Sequence, residues 1–427
     1  MDANRFVTKS LNDPRILRIV SAALAAVDPY RAVKNHLPRI TGDVYGFAVG
    51  KAAVPMLTAL AESIPLTGAL AISKHASSPP SGLFPVLLSG HPIPDARSVH
   101  AGERAIEFVS SLKEDDTLVC LISGGGSALM TAPLIPLEEL QALTASLLSC
   151  GATINKINTI RRHLDRVKGG GLARATKAKI VSLILSDVIG NPLEAIASGP
   201  TASDPTTQTD ALQILKKYFA IETRRHGDLN FLNSATLRLS GNFVKTDDDI
   251  FSRVQNIIIG DNNLAAQAAL EQARIEGFEA EILTNELQGE AREVGVMLAN
   301  RLRDEAAERS HPFCLISGGE TTVTINGNGK GGRNQELALA AVNELRDVSN
   351  VMLIALATDG EDGPTDAAGA VATGESAERA ESLGLSAADH LSRNDAYPFF
   401  ESLGDLIGTG PSGTNVNDLV FLFGLSG

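Results

Sequence analysis

A buried strand that ends abruptly in Ser-Gly-Gly occurs twice, and this constrains the fold more than any other feature of the chain. It reads Val119-Cys120-Leu121-Ile122-Ser123-Gly124-Gly125-Gly126-Ser127, and again Phe313-Cys314-Leu315-Ile316-Ser317-Gly318-Gly319-Glu320. Such an ending leaves bare backbone amides at the carboxyl end of a strand. These form an anion-binding concavity, and a following helix adds partial positive charge from its N-terminus. Two of them predict two α/β lobes that both face something negatively charged, which points to phosphate chemistry.

At 427 residues, with 44% hydrophobic and 20% charged residues, the chain is long enough for two or three domains with a large core. The formal net charge of −13 argues against nucleic acid or an anionic membrane as partner. No apolar run approaches the ~20 residues of a membrane helix, and MDANRFVTKS lacks the order of a signal peptide. Cys120, Cys150 and Cys314 are scattered and read as reduced, so the expected address is cytoplasmic. In so acidic a chain, two local basic clusters stand out beside glycine runs: Arg161, Arg162, Arg166 and Lys168, then Lys330 and Arg333.

Much of 1–40 reads as helix. Strand-like runs follow at 44–49, 69–72, 86–88, 117–122 and 180–185, with helix-length amphipathic stretches between most of them. This alternation predicts a largely parallel sheet covered on both faces. The polar stretch 240–253 interrupts it and marks the expected boundary, giving lobes 1–245 and 246–427. Strands are expected again at 256–259, 281–283, 313–316, 322–325, 352–357 and 419–423, with a helix over 265–275.

Ligands of such sheets sit outside the carboxyl ends of the strands. Lys51 follows one strand, and Asp187 and Asp359 close two others. A lysine with two carboxylates in equivalent places suits phosphoryl transfer, which needs cations on phosphate and carboxylates for Mg²⁺ or a hydroxyl proton. Asn158, Arg161, Asp165 and Lys168 step by three, four and three, as one stripe of a helix that ends in Gly169-Gly170-Gly171. In the loop 326–334, Gly327, Gly329 and Gly332 match G-x-G-x-x-G. Lys330, Arg333 and Asn334 in and beside that loop instead suggest a mobile clamp on a phosphoryl group. His91, in an unusual Gly-His-Pro-x-Pro-Asp turn, is a candidate base or carboxylate ligand, and Ser127 a candidate anion donor.

Together these segments resemble the glycerate 2-kinase family, of the kind with a leucine-rich C-terminal domain of its own (MOFRL-type). The carrying segments are GFAVGKAA (46–53), SGHPIPDARS (89–98), LISGGGSALM (121–130), NTIRRHLDRVKGGGLA (158–173), LSDVIG (185–190) and ASGPT (197–201). They continue with IIGDNNLAAQAA (258–269), ELQGEAREVG (286–295), ISGGETTVT (316–324), GKGGRNQELAL (329–339), ATDGEDGPTDAAGA (357–370) and GPSGTNVNDL (410–419). The resemblance implies ATP- and Mg²⁺-dependent phosphorylation of D-glycerate on its 2-hydroxyl. It also implies an N-terminal Rossmann-like lobe, a smaller C-terminal α/β lobe and an active-site cleft between them.

Lys51, Asp187, Arg333 and Asp359 match the family's catalytic positions, with Asp187 and Asp359 the candidate metal ligands. Substrate and nucleotide phosphates would meet His91, Ser123, Gly124, Gly125, Gly126, Ser127, Asn158, Arg161 and Lys168, with Gly318, Gly319, Glu320, Lys330, Gly332 and Asn334. Asn191 stands where the family more often has aspartate, and Ser412 replaces the usual threonine. Two other readings compete: an NAD(P)H-dependent hydroxypyruvate or tartronate-semialdehyde reductase, and a non-catalytic sugar-acid sensor. A homo-oligomer is compatible with all three.

Overall fold

A computed structural model describes residues 2–74, 82–222, 230–240 and 249–425. Its internal contacts divide the chain into two compact units, Pro29–Ile259 on the one hand and Met1–Asp28 with Gly260–Gly427 on the other. The boundary expected at 245/246 lies outside the described residues. The first 28 residues were expected in the N-terminal lobe, but they belong to the other unit.

The Pro29–Ile259 unit is built on β1 (Val44–Val49), β2 (Gly68–Ser73), β3 (Val86–Leu88), β4 (Thr117–Ile122), β5 (Lys179–Leu185) and β6 (Val254–Gly260). Their order is β3-β2-β1-β4-β5-β6, with β3–β2, β2–β1, β1–β4 and β4–β5 all parallel. This is the doubly wound Rossmann order. The strand expected at 256–259 therefore closes the first sheet and does not open the second. All six residues of β4 are buried, as expected for a strand covered on both faces. Phe47, Leu70, Cys120 and Ile180 pack with Ala101, Ala105 and Val109 of the Ala96–Ser110 helix. A separate helical layer joins Leu143 and Leu147 to Ile157, Ile160, Leu215, Leu232 and Leu239.

The other unit carries β7 (Glu279–Leu287), β8 (Phe313–Gly319), β9 (Val351–Ala357), β10 (Gly369–Thr373), β11 (Leu406–Ile407) and β12 (Asp418–Gly424). Their order is β11-β10-β9-β12-β8-β7. Strand β12 runs antiparallel to both neighbours and β7 parallel to β8, so this sheet is mixed. Residues 322–325 form no strand, only a bridge from Thr322 to Glu290. Thr322, Thr324 and Ile325 are exposed, Ile325 by 78%, and Val323 alone of the four packs against the core. Among the described residues no helix is long and apolar enough to cross a membrane.

The N-terminal segment is held by a buried carboxylate as well as by apolar packing. Ile16, Ile19, Val20, Ala23 and Leu24 of the Pro14–Ala26 helix are buried, and this helix packs on the Asn262–Ile275 helix. Asp405 accepts from Thr8 Oγ1 (3.0 Å), Ser10 N (2.8 Å) and Ser10 Oγ (2.9 Å), and pairs with Arg379 at 2.8 Å. Removing one partner of a buried ion pair costs about 3–5 kcal/mol because the other charge stays behind. Asp405→Ala is therefore expected to lower the unfolding free energy of this unit, read from urea melts, by that order. A loss below about 1 kcal/mol would mean that apolar packing alone holds the segment.

Candidate active site

The order of the first sheet reverses between β1 and β4, and a ligand crevice forms at such a switch point. Two loops meet there. Lys51 N donates to Gly124 O at 2.9 Å, and Ala52 N donates to Ser123 Oγ at 3.0 Å. Gly50 has φ +125°, and a Cβ there would stand 2.2 Å from Ser123 Oγ, so only glycine permits the approach. The Ser123 hydroxyl is spent on this junction and is buried. The amide N–H groups of Gly124, Gly125, Gly126 and Ser127 donate to no protein acceptor among the described residues. Gly125, at φ +83°, turns the chain into the short helix Gly126–Leu129. The bare amides predicted after β4 are therefore present.

Beside this loop lies a cavity of about 580 Å³, lined in part by His91, Gly125, Ser127, Arg161, Asp165 and Lys168. The helix carrying Asn158 and Arg161 spans Ile154–His163, so the four-residue polar stripe expected on one helix is broken before Asp165. Thr131 and the Ala132 and Val167 amides fix Asp165 off the helix. Arg161, Asp165 and Lys168 still reach the same cavity, whereas Asn158 is half-buried and not part of its wall.

The two cations differ sharply. Lys168 is buried, pairs with Asp165 at 2.5 Å and donates to Met130 O at 3.1 Å. Burial, with a smaller push from Arg161, pulls its pKa below the ordinary lysine value. Arg161 makes no hydrogen bond or ion pair among the described residues, and burial alone lowers its pKa. A half-buried guanidinium without a counter-charge is costly unless an anion completes it.

A strained turn supports the amide loop. Ala197 and Ser198 have φ of +50° and +60°, a region non-glycine residues rarely enter. The turn meets the triple glycine, with Gly169 N bonded to Ser198 O at 2.9 Å and Gly170 N to Gly199 O at 2.7 Å. Ser198 Oγ lies 2.7 Å from Ser127 Oγ, and a Cβ on Gly126 would stand 2.8 Å from the Ala197 Cβ. The triple glycine thus serves close backbone approach and does not end the helix. Asp187 sits half-buried just past β5, beside β4 in the sheet. Sequence reasoning missed this turn, although the Gly199-Pro200 pair was a visible punctuation mark.

In the other unit the second Ser-Gly-Gly is not a turn. Ser317, Gly318 and Gly319 are the end of β8 and face Val420, Leu419 and Asp418 of β12. Gly318 makes room for Asn262, whose Oδ1 lies 1.6 Å from where a Cβ would stand. Arg333 opens the Arg333–Glu344 helix and spends its fork on protein carboxylates. Nε and Nη2 bond Asp418 at 2.5 and 3.0 Å, and Nη1 bonds exposed Glu320 at 2.8 Å. Burial works against its charge, but Asp418 and Glu320 outweigh it and hold the pKa above the ordinary arginine value.

The glycine-rich loop is pinned, in contrast to the mobile clamp expected. Asn394 Oδ1 accepts from Asn326 N (2.7 Å) and Gly327 N (3.1 Å), and Asp395 accepts from Lys330 N (2.9 Å). The Lys330 ammonium sits 3.6 Å over the Tyr397 ring. Asp359, half-buried just past β9, accepts from Glu361 N at 3.1 Å.

Asp418 was not singled out from the sequence. Asp362 caps the Arg333–Glu344 helix beside Gly332, accepting from Asn334 N (3.2 Å) and Gln335 N (2.9 Å). Among the described residues no group of three or more His, Cys, Asp or Glu converges as a metal centre. The candidate ligands Asp187 and Asp359, one in each unit, are carboxylates, the hard oxygen donors that Mg²⁺ takes.

A Rossmann-ordered sheet with free amides and an uncompensated arginine at its switch point defines an anion-binding α/β protein. Residues 15–226 match a family profile described as a domain of unknown function (DUF4147), and residues 313–418 match the MOFRL family. A glycerate 2-kinase of Pyrococcus horikoshii is 39% identical, covering 95% of each chain. A D-glycerate 2-kinase of Thermotoga maritima is 41% identical over 95% of this chain and 96% of its own. An Agrobacterium vitis relative, 38% identical over 94% of this chain and 92% of its own, has a provisional hydroxypyruvate reductase name. The crystal structure of a Thermotoga maritima glycerate kinase superposes with a TM-score of 0.86 at 40% identity, covering 96% of this chain and 99% of that one. The chain belongs to the glycerate kinase family.

Burial, then the charge of Asp418, pushes the Asp362 carboxyl up to about 7 against its backbone donors. The folded state then keeps a proton that the unfolded chain releases near pH ~4. Stability of this unit is expected to fall as pH rises from about 4 to about 7. Asp362→Asn should flatten that slope in urea melts taken across the range; an unchanged slope would assign it to other groups.

Proposed function

We propose that this protein is a glycerate 2-kinase, which moves the γ-phosphoryl group of ATP to the 2-hydroxyl of D-glycerate, giving 2-phosphoglycerate and ADP. The observation that carries the reading is Arg161, left without a counter-charge in the cavity that Gly125 and Ser127 line. The free amides of Gly124–Ser127 with Arg161 and Lys51 hold the triphosphate oxygens, donors placed in advance where charge shifts in the transition state. Lys168 keeps Asp165 neutralised and the wall rigid, and His91 borders the same cavity. The glycerate 2-hydroxyl oxygen bonds to γ-phosphorus, the bond to the β–γ bridging oxygen breaks, and a carboxylate takes the hydroxyl proton. Asp187, at the end of β5 in the unit that carries the amide loop, would take that proton or hold Mg²⁺, and Asp359 is the corresponding strand-end carboxylate of the other unit. Bound Mg²⁺ would neutralise phosphate charge. In that other unit Arg333 is the candidate cation for an oxyanion, with exposed Glu320 the partner it would exchange. Cys120, Cys150 and Cys314 form no disulfide among the described residues, which suits a cytoplasmic address.

The test is ADP release from Mg·ATP with and without D-glycerate, with the product resolved as 2- or 3-phosphoglycerate. Glycerate-dependent ADP with 2-phosphoglycerate is expected. Folded protein that releases no ADP but oxidises NADH when given hydroxypyruvate would be a reductase. A charge-assisted hydrogen bond contributes about 1.5–3 kcal/mol, so Arg161→Ala is expected to raise the KM for ATP roughly ten- to hundredfold. An unchanged KM would remove Arg161 from the phosphate site.

A further inference from the structure

The Leu137–Ser149 helix has two apolar faces, and only one has a full protein partner. Leu143 and Leu147 are buried in the helical layer with Ile157 and Ile160. A second stripe, Leu137, Leu140, Gln141, Thr144, Ala145 and Leu148, recurs at three- and four-residue spacing and lines the cavity that holds Arg161 and Gly125. Toward solvent the stripe stays open, with Leu148 58% exposed and Ile93, from the neighbouring turn, 68% exposed. An apolar wall sharing one cavity with a few anion-binding groups is the layout of a site for a flat organic group attached to a charged one.

The polar side chains of the stripe are tied to the backbone. Gln141 Nε2 donates to Pro94 O at 2.7 Å, and Thr144 Oγ1 donates to Leu140 O at 2.9 Å. Apart from the second Nε2 hydrogen and the Oε1 of Gln141, and the lone pairs of Thr144 Oγ1, the stripe offers a base apolar surface. We infer that this stripe with Ile93 is the base subsite for the nucleotide, and that it grips the base chiefly by apolar contact with modest selection among bases. The inference rests on the kinase reading. A site built on hydrogen bonds rejects the wrong partner by about 10⁴–10⁵, whereas an apolar wall discriminates by about 10–200-fold. Purine and pyrimidine triphosphates should therefore bind within about 200-fold of one another.

The test is calorimetric titration of the full chain with ATP, GTP, CTP, UTP and inorganic tripolyphosphate. The four nucleotides are expected within about 200-fold of one another, with tripolyphosphate weaker than all of them. The double variant Ile93→Gln/Leu148→Gln removes exposed apolar surface without changing charge, and its fold is checked by thermal melting. It should weaken every nucleotide by about tenfold and leave tripolyphosphate unchanged. A preference for one base beyond about 200-fold would overturn the loose selection. Unchanged nucleotide affinity in the double variant would place the base elsewhere. Wild-type protein that binds no nucleotide and releases no ADP would defeat the kinase reading itself, a result separate from both.

Discussion

The site depends on how closely two backbone loops approach at the switch point of the parallel sheet. Gly50 lies against Ser123 where no side chain fits, and the Ser123 hydroxyl bonds across to the Ala52 amide. That junction fixes where the chain leaves β4, and so where the next four amides stand. Lys51 is carried along, its amide bonded to Gly124 O. The strained Ala197–Ser198 turn closes the loop from the other side against Gly126 and the triple glycine. A loop with free amides gains little from its own hydrogen bonds, so its shape has to be imposed by packing on both flanks.

Electrostatics then decides which cation can meet a ligand. Two cations share one cavity wall in a protein of net charge −13. Left bare together they would repel, and Arg161 does depress the Lys168 pKa. Asp165 resolves this by neutralising Lys168 within a fully bonded buried cluster, which leaves the arginine as the open charge. Arginine suits that task, because its planar fork matches phosphate and it stays charged when partly buried. Arg333 is the reverse case: its fork is filled by Asp418 and Glu320.

The sequence was legible where local chemistry decides structure. The run Thr117–Ile122 ending in Ser-Gly-Gly predicts a buried strand and a nest, and both are present. The same tripeptide at 317–319 misleads, because β12 returns beside β8 and takes its backbone groups into a ladder. Nothing local to Ser317 announces a partner strand at Asp418–Gly424. The loop 326–332 looks mobile by its glycines, yet the side chains of Asn394 and Asp395 hold it, and Gly327 and Gly329 serve close contact with Arg393 and Asp395. The apolar stripe on the Leu137–Ser149 helix was equally hidden, since a helix apolar on two sides reads from sequence as a core helix.

The chain path also explains why a linear boundary was the wrong question. The compact Pro29–Ile259 unit lies between two segments of the other unit, Met1–Asp28 and Gly260–Gly427. The Pro14–Ala26 helix buries Ile16, Ile19, Val20, Ala23 and Leu24 and packs on the Asn262–Ile275 helix. Asp405 ties Thr8 and Ser10 to Arg379 by bonds that span most of the sequence. Cutting the chain near 245 would leave one fragment with an uncovered apolar helix and the other with a buried carboxylate short of partners. Composition marks a polar stretch there, but the apolar face of the first long helix packs on the Asn262–Ile275 helix, beyond that stretch. A boundary in such a chain is set by which faces bury each other, and polar stretches mark only the places where the backbone is free to cross.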